Sequence, residues 1–382
     1  MARAIQTVTE LRDYAARRAS GDMSDVEFRS QFSALLSRVL PQTIRESAFF
    51  SLPANKPPWF DTGIECRTGE EITVFAAGRA YLSRELNIWL KPSFWLWYRL
   101  GEQGDLFRGT RCSHTFTATS HGHLFLAGAF PGEWTTPTGD LSTPAEVYQQ
   151  TEGGIIVLVV RWAVPAVEGL KRLLQLGDVG RFLSSEVDRL ETPLNQPEGW
   201  VYPWHVGPGE MYTAVPRPSQ RPAISCYTHE EATNLQKDVV LPFTPETRLR
   251  WSWKMDQLPS QVREDSLQTH DYLSLAVEFD NEQDLAYYWS AELPPDTAYR
   301  CPIPKWSTRE THVVLHSGTA GLGQWLQEER NLYADYQRWV GKPPARILRI
   351  WLIALSMFQH GEGQGEYGAI EFLTGDKVVI VN

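Results

Sequence analysis

The chain has 382 residues, 42% of them hydrophobic and 21% charged, with a formal charge of −10 at pH 7. That length exceeds what one hydrophobic core supports and predicts two domains plus extra segments. The acidic balance leaves no basic stripe to neutralise phosphates, which excludes nucleic acid. The longest apolar runs, at 155–160 and 350–355, are too short to cross a bilayer.

Residues 7–40 read as two helices. Thr7-Val-Thr-Glu10 and Ser24-Asp-Val-Glu27 fit the capping box, in which a hydroxyl and a carboxylate satisfy the first free N–H groups. Phe28, Phe32, Leu35, Leu36 and Val39 then share one helical face, the pattern of a packing or dimerisation element. The first residues carry no apolar run of signal-peptide length, so a cytoplasmic protein is expected. Cys66, Cys112, Cys226 and Cys301 form no CxxC pair and read as buried free thiols.

From about Ser47 the period changes to two. Strands are predicted at 72–77, 94–98, 115–118, 123–127 and 155–162, separated by Gly-, Pro- and Asp-containing turns, the pattern of a β-sandwich. Residues 164–190 return to helical spacing with a break at Gly177. Residues 191–222 hold seven prolines and the aromatic segment Trp200-Val-Tyr-Pro-Trp-His205, an extended arm expected to lie against a surface. A second β run occupies 223–382, interrupted by a predicted aromatic helix at 324–339. The expected domains are a helical hairpin (1–45), a β-sandwich (46–163), a helical connector and aromatic linker (164–222) and a second β-sandwich (223–382).

Fifteen tryptophans are the outstanding compositional feature. Trp251 and Trp253 share a face with Leu249, opposite Arg250 and Ser252, as in a half-buried strand. Trp95 and Trp97 share a strand whose other face is apolar too, so that strand is expected to be buried centrally. Trp134, Trp204, Trp306 and Trp325, in loops or at element ends, are candidates for stacking on a ligand.

Residues 59–162 carry Trp59-Phe-Asp-Thr-Gly-Ile, Gly69-Glu-Glu-Ile-Thr-Val-Phe-Ala-Ala-Gly78, Gly122-His-Leu-Phe-Leu-Ala-Gly128, Pro131-Gly-Glu-Trp and Gly153-Gly-Ile-Ile-Val. This stretch resembles the galactose-binding bacterial lectins of the PA-I type. The resemblance implies a jelly-roll-like sandwich whose rim loops hold a sugar. In that family calcium is gripped by an acid, a threonine and paired asparagines. The matching stretch here, Glu133-Trp-Thr-Thr-Pro-Thr-Gly-Asp140, keeps acids and hydroxyls but lacks the asparagines. No cofactor is expected, and calcium is the one ion the resemblance leaves open. Residues 240–373 carry Leu249-Arg-Trp-Ser-Trp-Lys254, His270-Asp-Tyr, Tyr288-Trp-Ser290, Gly321-Leu-Gly-Gln-Trp325, Glu329-Arg-Asn-Leu-Tyr-Ala-Asp-Tyr336, Pro343-Pro344 and Tyr367-Gly-Ala-Ile-Glu-Phe372. They resemble a bacterial β-sandwich domain that follows such lectin-like domains. That resemblance implies a galactose-binding-like jelly roll and supplies no activity. Met357-Phe-Gln-His360 replaces its usual Asp- and Asn-rich turn.

Several polar constellations compete with bland readings. His114, His121 and His123 fall within ten residues, and His312 and His316 share one face of a regular strand; either set has metal-ligating types, but neither spacing completes a ligand set. Asp265, Asp271, Glu278 and Asp280 supply carboxylates for acid–base work or, more simply, for ion pairs with Arg250 and Lys254. Arg330, placed on the predicted helix beside Trp325, is a candidate carboxylate clamp.

The expected protein is mainly β, with two jelly-roll-like β-sandwich domains, an N-terminal helical hairpin and a helical connector. Its leading function is non-catalytic binding of a sugar or small polar ligand by Trp134, Glu133, Asp140, Trp204, Trp306, Trp325 and Arg330. An enzyme using Asp271, Glu278 and His270 is the alternative. A scaffold is the third reading, and the N-terminal helices are the expected surface for a second copy or another protein. No metal, nucleic acid or membrane partner is expected.

Overall fold

The computed structural model describes residues 8–56, 58–130, 132–217 and 220–382. Thr7, which opens the first capping box, and Pro131 of the lectin-like stretch lie outside the described residues. The fold is mainly β, with several antiparallel sheets, and divides into two compact units.

The first unit comprises Tyr14–Pro193 and Trp204–Gly209. Its five-stranded sheet runs Ile44–Pro53, Glu152–Trp162, Glu71–Ser83, Ile88–Leu90, and Ser113–Thr117 also pairs with Glu71–Ser83. A second sheet runs Trp59–Cys66, Gly122–Gly128, Leu96–Leu100, Phe107–Arg108. The unbroken apolar run of the central strand Glu152–Trp162 has a physical reason, because both its faces are buried. Ile156, Leu158 and Val160 pack with Phe28, Phe32, Leu170, Leu173, Phe182 and Leu183 from three helices, Asp25–Leu36, Ala166–Leu176 and Phe182–Glu191. Ser24 caps the first of these by accepting from the Glu27 amide at 3.3 Å, as its sequence predicts. The apolar face of Asp25–Leu36, read as a packing or dimerisation element, thus packs within its own unit. The predicted strand at 94–98 starts later than expected. Pro92, at the first position of a helical turn, sets Pro92–Trp95, and extended chain begins only at Leu96.

The second unit comprises Leu194–Pro203, Glu210–Asn382 and the described part of Met1–Asp13. Two six-stranded sheets face each other. One follows Tyr212–Val215, Ala223–His229, Glu362–Thr374, Arg248–Gln257, Leu326–Asn331, with Lys377–Ile380 also on Glu362–Thr374. The other follows Ala232–Pro242, Arg346–Leu355, Tyr272–Phe279, Asp284–Ser290, Glu310–Ser317, Ala298–Arg300. Only one pairing named here is parallel, Asp284–Ser290 with Glu310–Ser317. Trp251, Trp253, Leu273, Leu275, Tyr287 and Trp289 lie in the core between these sheets. The half-buried reading of Arg248–Gln257 holds, since buried and partly exposed residues alternate along it.

The helix expected over 324–339 is half strand. Leu326–Asn331 pairs with Arg248–Gln257, and Asn331 then caps a shorter helix, Leu332–Trp339, by accepting from the Ala334 amide at 2.9 Å. Charged residues dominate this edge strand, which suits a sheet edge and hides the period of two. All four cysteines are buried and unbridged. Among the described residues no helix is long and apolar enough to cross a membrane.

Candidate functional site

The first unit carries a cleft of about 560 Å³ at the edge of its four-stranded sheet. Antiparallel register aligns Asp61, Phe125 and Arg99 in one row and Trp59, Ala127 and Trp97 in the next, so all six share a face. The loop 133–142 folds over the second row. Trp134 stacks on Trp59 (centroids 5.3 Å apart, 22° between planes) and meets Trp97 edge-on at 5.7 Å. The Trp59 Nε1–H donates to the Gly139 carbonyl at 3.0 Å, which fixes the indole as a wall of the cleft.

Arg99 is the central polar group. Its guanidinium carbon lies 4.2 Å from the Trp59 ring centroid and 5.0 Å from that of Phe125. One terminal N–H donates to the Thr138 carbonyl at 2.8 Å, while Nε is buried without a hydrogen-bond partner. Burial lowers the guanidinium pKa, and the carboxylates of Glu102 and Asp140 oppose that shift. Glu102, Gln103, Asp140 and Thr143 complete a wall rich in donors and acceptors. Gly139 has no tolerable substitute on this wall. Its φ is +93°, and a Cβ there would sit 2.4 Å from a Trp59 ring carbon. Gly139→Ala is expected to cost about 1–3 kcal/mol through overpacking and backbone strain, read as a lowered midpoint in thermal denaturation.

Glu133 and Trp134 belong to this loop but do not face the cleft as expected. Trp134 is 3% exposed because Trp59 and Trp97 cover it, so no ring face is free for a ligand. The Glu133 carboxylate is buried and accepts from the Ser142 hydroxyl and, at 2.7 Å, from the Thr143 amide. Asp140 lines the cleft and accepts from the Thr136 hydroxyl at 2.9 Å. Glu133 thus folds the loop. With the Glu133 carboxylate held in these bonds, Asp140 is the one acid of the loop on the cleft, a poor ligand set for an ion that takes six to eight oxygens.

The second unit gathers polar groups on the outer face of the sheet containing Tyr272–Phe279. Leu273, Leu275 and Val277 point into the core, so Tyr272, Ser274, Ala276 and Glu278 point the other way, yet these too are buried. Register sets Glu278, Asp284 and Glu310 in one row and Ala276, Ala286, His312 and Tyr299 in the next. His270 donates from Nδ1 to the Glu264 carbonyl at 2.7 Å, leaving Nε2 to face the Cys301 thiol at 3.4 Å. His312 stacks on Tyr299 (5.2 Å, 12°) and meets His270 edge-on at 4.8 Å. Its Nε2 is 3.3 Å from Glu310 Oε1, although neither ring nitrogen makes a hydrogen bond. Burial drives each of these groups toward its neutral form. It pushes Glu310 up to about 7, holds His270 down to about 4, lowers His312 and raises Cys301.

Known proteins resemble parts of this chain. A family model described as "Protein of unknown function (DUF3047)" matches residues 205–371. No curated protein matches. Among solved structures, the EclA N-terminal domain, a PllA-like lectin, is 20% identical, covering 31% of this chain and 97% of its own at a TM-score of 0.24. The xyloglucanase domain of NopAA, a type three effector from Sinorhizobium fredii solved with cellobiose, is 8% identical, covering 49% of this chain and 94% of its own at 0.28.

The remaining predicted residues are scattered. Trp204, in the first unit, is 48% exposed and meets His205 edge-on at 5.5 Å. In the second unit, Trp306 is partly exposed with Arg309 over its ring at 5.5 Å, and Arg217 lies over Trp325 at 3.9 Å. Arg330 is no free clamp. Its guanidinium grips Asp335 through two bonds of 2.7 and 2.9 Å, and Asp335 also accepts from the Tyr287 hydroxyl. The three candidate catalytic residues do not converge on one cleft. Asp271, which burial pushes up to about 6, accepts from the amides of Phe358 and Gln359; Glu278 lies 3.5 Å from both Arg309 and Arg349; His270 belongs to the cysteine group. The expected pairs to Arg250 and Lys254 are also replaced, by Glu329 for the arginine and by Asp256 and Glu366 for the lysine. His121 and His123 face Glu65 and Asp61 separately. His312 and His316 lose their shared face to a register shift between Tyr288 and Trp289, which turns His316 onto Trp289 at 4.7 Å and onto Trp253 at 6.0 Å. Sequence reasoning did not single out Arg99, reached Trp59 and Phe125 only through the lectin-like motifs, and read Cys301 only as a buried free thiol.

Proposed function

We propose that the first unit binds a neutral, polyhydroxylated ligand, a mono- or oligosaccharide, in the Trp59–Arg99–Phe125 cleft without transforming it. The observation that carries this reading is Arg99, a guanidinium held between two aromatic rings with an unpartnered Nε and two carboxylate residues, Glu102 and Asp140, on the same wall. One cation set among two carboxylates disfavours an anionic ligand and offers the alternating donors and acceptors that hydroxyl groups need. The cleft's volume lies in the usual range for small-ligand sites.

The test is titration of the full chain with a panel of neutral sugars, followed by tryptophan fluorescence and calorimetry. Saturable binding without turnover is expected, unchanged by a calcium chelator. Arg99→Met keeps an apolar stem on the two rings while removing the donors, and is expected to weaken binding about 10- to 100-fold. Saturable binding that Arg99→Met leaves intact would move the site elsewhere. A panel with no binder would remove the reading.

A further inference from the structure

We propose that His270, Cys301, His312 and Glu310 form a closed structural site for a divalent zinc-class ion in the second unit. Ligand atoms of His270, Cys301 and His312 all lie within 4.8 Å of one another, and Glu310 Oε1 is 3.3 Å from His312 Nε2. In a tetrahedral zinc site, bonds of about 2.0–2.3 Å place neighbouring ligand atoms about 3.3–3.8 Å apart. The 3.4 Å separation of His270 Nε2 from Cys301 Sγ and the 3.3 Å separation beside Glu310 already meet that spacing. The remaining separations among His270, Cys301 and His312, at most 4.8 Å, must shorten by about 1 Å when an ion binds.

The independent sign is His312. It is completely buried, yet both ring nitrogens lack a hydrogen bond, and an imidazole left so costs free energy unless something accepts its lone pair. Two of the four ligands, His270 and Glu310, also have outer partners. The Glu264 carbonyl accepts from His270 Nδ1 and fixes the tautomer that points Nε2 inward, and the Tyr272 hydroxyl donates to Glu310 at 3.3 Å. Charge balances too. A thiolate and a carboxylate with two neutral imidazoles cancel a divalent cation, so the loaded site is neutral, as burial demands. On binding, the Cys301 thiol and the Glu310 carboxyl, which burial pushes toward its neutral form, both release their protons to solvent, and bonds from the sulfur and the carboxylate oxygen to the metal replace the S–H and O–H bonds.

Imidazole with thiolate selects zinc or cobalt over magnesium or calcium. All four donors come from the protein and all are buried, so the site is closed and structural. Its effect is to tie the segment carrying His270 and the turn carrying Cys301 onto strand Glu310–Ser317. A nucleophilic Cys301–His270 pair fits less well, because the thiol is fully covered and Glu310 disfavours a thiolate unless a cation joins them.

The test uses the full chain, freed of metal by a chelator and then titrated with Co2+ and with Zn2+. One equivalent of Co2+ is expected to produce a cysteinate-to-cobalt charge-transfer band. Zn2+ is expected to displace the cobalt and raise the melting temperature. Cys301→Ser, which changes one atom, is expected to abolish the band while keeping the far-ultraviolet circular dichroism. His312→Gln is expected to weaken Zn2+ more than about 100-fold, beyond the 10- to 100-fold that losing an outer partner costs, and Tyr272→Phe falls within that smaller range. A cobalt spectrum unchanged in Cys301→Ser would overturn the proposal. So would Zn2+ binding lost in His121→Gln or His123→Gln instead, or no Zn2+-dependent rise in melting temperature.

Discussion

Glu186→Ala is expected to remove about 3–5 kcal/mol of stability from the first unit, the usual cost of breaking a buried ion pair by deleting one partner. Glu186 is completely buried on helix Phe182–Glu191. Its carboxylate accepts from the Ser113 hydroxyl at 2.8 Å, the Thr115 amide at 2.6 Å and the guanidinium of Arg189 one turn on. Those contacts tie the helix to strand Ser113–Thr117. Burial alone would push the carboxyl upward, but Arg189 and the hydrogen bonds override it and hold the pKa at about 2. The sign follows from linkage. A folded-state pKa below the ordinary 4.5 stabilises the protein fully above 4.5, and that contribution fades as pH falls toward about 2. At about 1.4 kcal/mol for each pKa unit the contribution is roughly 3 kcal/mol. Urea denaturation at pH 7 and pH 3 checks this. The wild type is expected to lose part of its margin over Glu186→Ala at the lower pH. An equal gap at both values would show that the charge contributes nothing.

The period of two exposed strands that bury one face, such as Arg248–Gln257 and Glu362–Thr374, while strands buried on both faces, such as Glu152–Trp162 and Tyr272–Phe279, showed as short apolar runs, and both signals are local. Pairing order is not local, and it builds the cleft. Trp59, Arg99 and Phe125 lie up to 66 positions apart and meet only because Gly122–Gly128 sits between Trp59–Cys66 and Leu96–Leu100. The loop tryptophan chosen from the sequence as a stacking candidate, Trp134, is buried instead, since a large apolar ring beside two others packs on them. His270, Cys301 and His312 show the same limit, as a loop, an edge turn and a strand are brought together by sheet register. His312 and His316 show how one irregularity defeats a spacing rule. The misread half-helix at 324–339 has a different cause. Its edge strand owes its conformation to pairing with Arg248–Gln257 some 70 to 80 residues earlier, while its own composition of Gln, Glu and Arg favours a helix.

The tryptophans of the second unit separate packing from polar anchoring. Trp251 is completely buried, stacked on Tyr287 at 5.5 Å and edge-on to Trp253 at 5.6 Å, with an Nε1–H that has no hydrogen-bond partner. Trp251→Ala is expected to cost about 3–5 kcal/mol, the range for deleting a large aromatic side chain from a core. Trp251→Phe keeps a ring against Tyr287 and deletes no hydrogen bond, so it is expected to cost less than half as much. Trp253 differs in one respect. Its Nε1–H donates to Glu328 at 3.2 Å, and the same oxygen accepts from His316 at 2.7 Å. Trp253→Phe therefore removes one of two donors from a largely buried carboxylate, and is expected to cost about 1 kcal/mol more than Trp251→Phe. Urea midpoints at pH 7, with hydrogen exchange reporting protection along Arg248–Gln257, rank the three variants. If the two phenylalanine variants prove equal, the Glu328 anchor contributes nothing and both indoles act by volume alone.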